Sequence, residues 1–146
     1  MVIHRSQFEA TLRSIWLAYA ASETDVAKLS AELNMETEQS AKNMPAVAIM
    51  MRALEGHAPP QAIEMLTRFK DASWNAMTSY AHAGIHAINR HREGYPTLLI
   101  ENVLRNANGL AVAGFFQLVA LCGCQPLQRE ILARTVPYSR CLPVAI

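Results

Sequence analysis

The residues with the most chemical potential lie in SYAHAGIHAINRHREGYP, residues 79–96, which holds His82, His86 and His91 together with Arg90 and Arg92. On one continuous helix, two imidazoles four positions apart emerge on the same face one turn apart, a geometry that can chelate zinc. Placing successive residues 100° apart sorts the stretch more finely. Trp74, Met77, Ala81, Ile85 and Ile88 fall on one side and make the expected core seam. Asn75, Ser79, His82, His86 and Arg90 form a polar stripe beside it, while Tyr80 and His91 go to the opposite flank. Zinc held by His82 and His86 would need another protein ligand, and the stripe offers only Asn75, Ser79 and the repulsive cation Arg90. No glutamate follows His82, so the zinc-protease signature is absent. The expectation is no metal and no cofactor, with the stripe a polar face shared with a neighbouring subunit.

A second candidate pairs Arg52 with His57 in RALEGH. An arginine that holds phosphate and a histidine that acts as general acid or base are what ribonuclease chemistry requires. The spacing is similar to that of the HEPN superfamily of small helical bundles, whose dimers bring two such motifs to one cleft. Ala53 stands where those motifs usually carry a polar residue, and Gly56 is expected to end the helix before His57. Arg105-Asn106 opens the pattern better, but Leu110, Ala111 and Val112 follow where a histidine is needed. Cys122, Cys124 and Cys141 are odd in number, and Cys-Gly-Cys lacks the usual redox or zinc spacing. They are expected to be thiols, with Cys122 and Cys124 filling space. No nucleophilic triad, glycine-rich phosphate loop or DNA-reading helix pair is recognisable.

Composition points to association. Apolar residues make up 51% of the chain and charged ones only 17%, too few to cover an ordinary monomer's surface with polar groups. Contiguous apolar surface usually marks a docking site, so a homo-oligomer, most simply a homodimer, or a tightly held protein partner is expected. The net charge of +1 argues against a strongly electrostatic nucleic-acid binder. It conceals a split: residues 1–66 carry eight acids and five bases, whereas residues 67–146 carry four acids and eight bases. MVIHRSQFEA has charges where a signal peptide would be apolar. The longest greasy run, LAVAGFFQLVALCGC, is shorter than the roughly 20 residues that cross a bilayer. It reads as a buried core helix, and a cytoplasmic location without membrane contact is the expectation.

The elements that must position these residues are helical throughout. Phe8, Leu12, Ile15 and Tyr19 recur at helical spacing with Trp16 beside them, and Glu9 and Arg13 sit four apart, where they can pair. Ser22 and Asp25 form a capping box for a short helix carrying Val26, Leu29 and Leu33. Pro45 suits the start of PAVAIMMRALE, which Gly56 should terminate. Pro60 opens a segment reaching His91, as one helix or as two with a bend near Asp71. Pro96 begins the last long helix, which runs to Gly123, and LQREILAR is a shorter one before Pro137. The tail SRCLPVAI is apolar and is expected to pack down. The sum is an all-α bundle of about six helices in a single domain, 1–146, with two long antiparallel helices forming the core.

At QFEATLRSIWLAYAAS, SWNAMTSYAHAGIHAINRH and VLRNANGLAVAG the chain resembles an uncharacterised bacterial all-helical family. The matching positions are Phe8, Glu9, Arg13, Trp16, Leu17, Trp74, Tyr80, His82 and Gly84. The family is similar over most of residues 4–123 and carries a further helix ahead of the Phe-Glu helix, at which this chain almost begins. It implies a fold rather than an activity. If the two long polar-edged helices are neighbours, Glu9 accepts from Arg13 and from His82, within a pocket lined by Glu9, Arg13, Tyr80, His82, His86 and Arg90. The leading expectation is a non-enzymatic protein–protein interaction module, of the sort that serves as an immunity or accessory protein in toxin and defence systems. A HEPN-like ribonuclease using Arg52 and His57 is the alternative, and a small-ligand binder around His82 the third reading.

Overall fold

A computed structural model describes residues 2–32 and 34–143, and every regular element among them is helical. Among the described residues there are eight α-helices and one 3-10 turn rather than about six helices. They are α1 (Val2–Tyr19), α2 (Glu23–Ser30), α3 (Met35–Ala41), α4 (Val47–Leu54), α5 (Pro60–Ala81), α6 (Ile85–Glu93), α7 (Thr97–Cys122) and α8 (Gln125–Thr135), followed by the 3-10 turn Val136–Cys141. The chain gathers into two compact units, one of residues 1–11 and 68–146, the other of residues 12–67.

The unit of residues 12–67 is built on Leu12, Ile15 and Trp16 of α1, Met50 and Leu54 of α4, and Leu66 of α5, all buried. The periodicity of the Phe8–Tyr19 run is therefore that of a true core face. Ser22 caps α2 as its spacing predicts: its Oγ accepts the Asp25 N–H at 3.2 Å and donates to Asp25 Oδ2 at 2.7 Å. Yet α2 buries none of its residues, and Val26 is exposed. Leu33, expected to share that face, lies outside the described residues, as do residues 144–146 of the apolar tail. Helix α3 is an addition, started by Asn34, whose Oδ1 accepts the N–H groups of Glu36 and Thr37. Helix α4 stops at Leu54, and Gly56 follows at φ +76°, the conformation glycine adopts most cheaply.

In the other unit the first turns of α1 meet α5 through aromatic rings. Phe8 stacks on Phe69 with centroids 4.9 Å apart and meets Trp74 edge-on at 6.0 Å. Met77, Leu110 and Val119 are buried in this unit as well. Gln7 Nε2 donates to the Ala107 carbonyl at 2.8 Å, tying α1 to α7. Helix α7 begins after Pro96 and ends at Gly123 in the left-handed conformation, as its punctuation predicts. Helix α8 and the 3-10 turn pack against α7. Arg105 Nε and Asn108 Nδ2 donate to the carbonyls of Arg140 and Cys141, and Gly109 leaves the space that Pro143 fills.

His4 is the odd member of this core. It is buried edge-on against Phe69, 5.0 Å between centroids, and neither ring nitrogen has a well-formed hydrogen bond. Burial pushes its pKa below the ordinary 6.5, opposed by the nearby Gln7 side chain. A histidine whose folded pKa is lowered binds its proton first in the unfolded chain. Stability is then full above the ordinary value and is lost as pH falls through 6.5, levelling off once the pH is below the folded pKa. Urea unfolding at stepped pH should show this decline, and His4→Leu should flatten it across that window.

Candidate functional site

Helix α5 does not continue into the histidine stretch. Its last turn closes at Ala83, which takes φ +51°, and the Gly84 N–H donates to the Ser79 carbonyl at 2.6 Å. This is the six-to-one closure of a left-handed helix stop, with alanine in the position usually given to glycine. Gly84 then starts α6, and the Ser79 hydroxyl accepts the His86 N–H at 3.2 Å. A side chain at Gly84 would run into Ser79, its Cβ falling 2.6 Å from Oγ. The break therefore falls at residues 82–84 rather than near Asp71. The seam expected from one continuous helix fails with it: Met77 is buried, but Ile85 and Ile88 are exposed.

The polar stripe separates into two groups in consequence. His82, at the end of α5, joins α1. Arg5 Nε donates to Glu9 Oε1 at 2.8 Å, its Nη1 lies 3.3 Å from His82 Nε2, and its guanidinium carbon stands 5.0 Å from the Trp74 ring centroid. A guanidinium only donates, so Nε2 is the acceptor in this contact. Glu9 thus reaches His82 through Arg5, not directly. Nor does it pair with Arg13, whose Nε is buried without a hydrogen-bond partner. Glutamate ahead of a basic residue is the favoured helical order, but such pairs are worth about 0.2–0.5 kcal/mol. An arginine laid over tryptophan gains about 0.5–2 kcal/mol, so the aromatic face decides the choice. Arg5 is the functional-looking residue that sequence reasoning missed, and the signal available was Trp74.

The second group gathers on α6. The rings of Tyr80 and His86 are 6.3 Å apart. Tyr80's pKa is raised, first by burial and then by the neighbouring Tyr95, with Arg90 acting against the shift. Arg90 donates to Glu93 and to the Gly94 carbonyl, both at 3.3 Å, and so finishes the C-terminus of α6. His91 and Arg92 are exposed beside it. The basic cluster that drew attention in the sequence is largely the cap of a short helix. Among the described residues no three His, Cys, Asp or Glu side chains are grouped to hold a metal ion.

Arg52 is exposed in the last turn of α4, and His57 lies beyond the helix with Nδ1 3.1 Å from the Glu55 carbonyl. The two do not share a helix face. Cys122 and Cys141 are exposed and Cys124 half-buried, all as free thiols, so Cys122 does not fill core space. The larger surprise is α7. Only Leu110, Gln117 and Val119 of that helix are buried, whereas Leu104 (58%), Phe115 (56%) and Leu118 (58%) are exposed. The greasy run is a core helix on one face only. No helix among the described residues is long and apolar enough to cross a membrane.

A family model matches residues 1–144, nearly the whole chain. The chain belongs to a family of unknown function (DUF6988). No curated protein and no solved structure matches it. Membership agrees with the resemblance read from the Phe8–Leu17 and Trp74–Gly84 segments, and it assigns no chemistry to any residue.

Two outcomes test this geometry. Ala83→Gly should stabilise the fold by about 1 kcal/mol in chemical denaturation, because it removes the cost of a β-carbon at positive φ. Arg5→Ala and Trp74→Leu, combined in a double-mutant cycle, should show a coupling of about 1 kcal/mol.

Proposed function

We propose that this DUF6988 member is a non-enzymatic protein–protein interaction module, working as a homo-oligomer or as the bound subunit of a protein partner. The carrying observation is the solvent-facing apolar side of α7, where Leu104, Phe115 and Leu118 are each more than half exposed. Exposed apolar residues scattered singly need no explanation, but a contiguous stripe of this size marks an association surface. The histidine and arginine groups support the same reading. Arg5, Glu9, Trp74 and His82 satisfy one another, and Arg90 finishes a helix end, which leaves no acid–base pair poised toward a substrate. In this reading 1–146 acts as one domain with α5 and α7 as long antiparallel walls, in the cytoplasm, as an immunity or accessory protein of a bacterial toxin or defence system. The match across residues 1–144 supports the single domain. The ribonuclease alternative, with Arg52 and His57, ranks lower because α4 ends between the two residues. A ligand pocket around His82 ranks lower because Arg5 already occupies its Nε2.

The test is co-expression with the product of the neighbouring gene, followed by size-exclusion chromatography with light scattering and an RNA-cleavage assay on the purified chain. The expected result is a stable complex of defined stoichiometry, with itself or with the neighbour, and intact RNA. A monomer that binds neither overturns the reading. Cleavage that disappears in His57→Ala replaces it with the ribonuclease.

A further inference from the structure

The Cys122-Gly123-Cys124 joint between α7 and α8 carries two thiols that the groups described above leave unused. In a continuous helix, residues two positions apart point to opposite sides, and their sulfurs could not meet. Here the helix stops between them. Cys122 is the last residue of α7, Gly123 caps it in the left-handed conformation at φ +65° and ψ +16°, and Cys124 precedes α8 at φ −96°. Standard bond lengths and angles with these dihedrals bring the two β-carbons to about 4 Å, inside the roughly 3.5–4.5 Å that a disulfide spans. The backbone is held there from both sides. The Gly123 N–H donates to the Ala120 carbonyl at 3.2 Å, and the Leu127 N–H donates to the Cys124 carbonyl at 3.1 Å. Both thiols are free, Cys122 exposed and Cys124 half-buried.

We infer that Cys122 and Cys124 close a reversible disulfide across Gly123, making this joint a thiol–disulfide exchange site for small disulfides of the glutathione type. The Cys122 thiolate, the more accessible of the two, attacks one sulfur of the small disulfide and expels the other half as a thiol. That leaves a mixed disulfide on Cys122. The Cys124 thiolate then attacks the Cys122 sulfur and expels the second half. Two cysteine thiols are oxidised, the small disulfide is reduced to two thiols, and the two cysteine protons end on those thiols. A ring closed over a single intervening residue is strained, and strained, exposed disulfides are the readily reduced ones. The bond therefore opens again in excess reduced thiol. The third cysteine does not compete. The Cys141 carbonyl accepts from Asn108 at 2.9 Å, and Asn108 stands fourteen residues, about 21 Å of helix, before Cys122. The exchange needs no second protein chain, so it stands apart from the interaction reading above.

The test holds the full chain in glutathione buffers of stepped reduced-to-oxidised ratio, alkylates the remaining thiols and measures masses before and after tryptic digestion. The tryptic peptide 106–129 contains Cys122 and Cys124 and no other cysteine. As the ratio falls, this peptide should become two hydrogens lighter and take no alkyl group. Excess reduced glutathione should restore both thiols. Cys124→Ser should stop at the mixed disulfide on Cys122, whereas Cys141→Ser should close the bond as the unchanged chain does. Helical circular dichroism should be the same in all of them, because Cys122 and Cys141 are exposed and Cys124 lies between two helices rather than within one. A peptide 106–129 that carries two glutathiones, or that links to Cys141 or to a second copy of itself, overturns the inference. So does a bond that excess reduced glutathione fails to open.

Discussion

The unit that holds α7 depends on one ring packed between two others. Phe8, fully buried, stacks on Phe69 and meets Trp74 edge-on, and these contacts fix the first half of α1 against α5. Burial of a phenylalanine contributes roughly 1.5–3 kcal/mol, and an aromatic pair adds about 0.5–1.5 kcal/mol. What the ring cluster fixes, the polar groups then use: with Trp74 held against Phe8, its outer face lies under Arg5, and Arg5 bridges Glu9 to His82. His4 is held against Phe69 by the same packing. The polar network follows from the aromatic one.

The end of α5 shows how a two-residue event redistributes a candidate site. Wheel geometry places His82 and His86 together only if the helix is continuous. Ala83 in a left-handed conformation turns the chain, so His82 is left with α1 and His86 is presented from α6. The Ser79 carbonyl accepts from Gly84 and its hydroxyl from His86, so one residue before the turn holds the two that follow it. A single glycine in a helical pattern is an ambiguous sign, since it is tolerated at a cost of about 1 kcal/mol. Here it followed the left-handed residue instead of occupying its place, and alanine gave no warning.

What was legible in the sequence was what depends on neighbours along the chain. The core periodicity of Phe8, Leu12 and Ile15, the Ser22 cap, the stop at Gly56, and the span of α7 between Pro96 and Gly123 are local matters. Helix α3 was not among the expected elements, although Asn34 and the acidic turn after it are a local signal of the same kind. What was not legible depends on partners far along the chain. Glu9 had two arginines at equal distance, and only Trp74, 69 positions from Arg5, separates them. The exposure of α2 and of Ile85 and Ile88 is equally non-local, because apolar spacing says that a face exists and not that something covers it.

Helix α7 carries that last point furthest. An ordinary amphipathic helix turns its polar side to solvent, whereas α7 also exposes Leu104, Phe115 and Leu118. Low overall charge points the same way from a different direction: at 17% charged residues, exposed apolar area has to fall somewhere. Part of it falls on α7, whose two charged residues, Glu101 and Arg105, both lie in its first nine positions and leave the rest of that helix without charge.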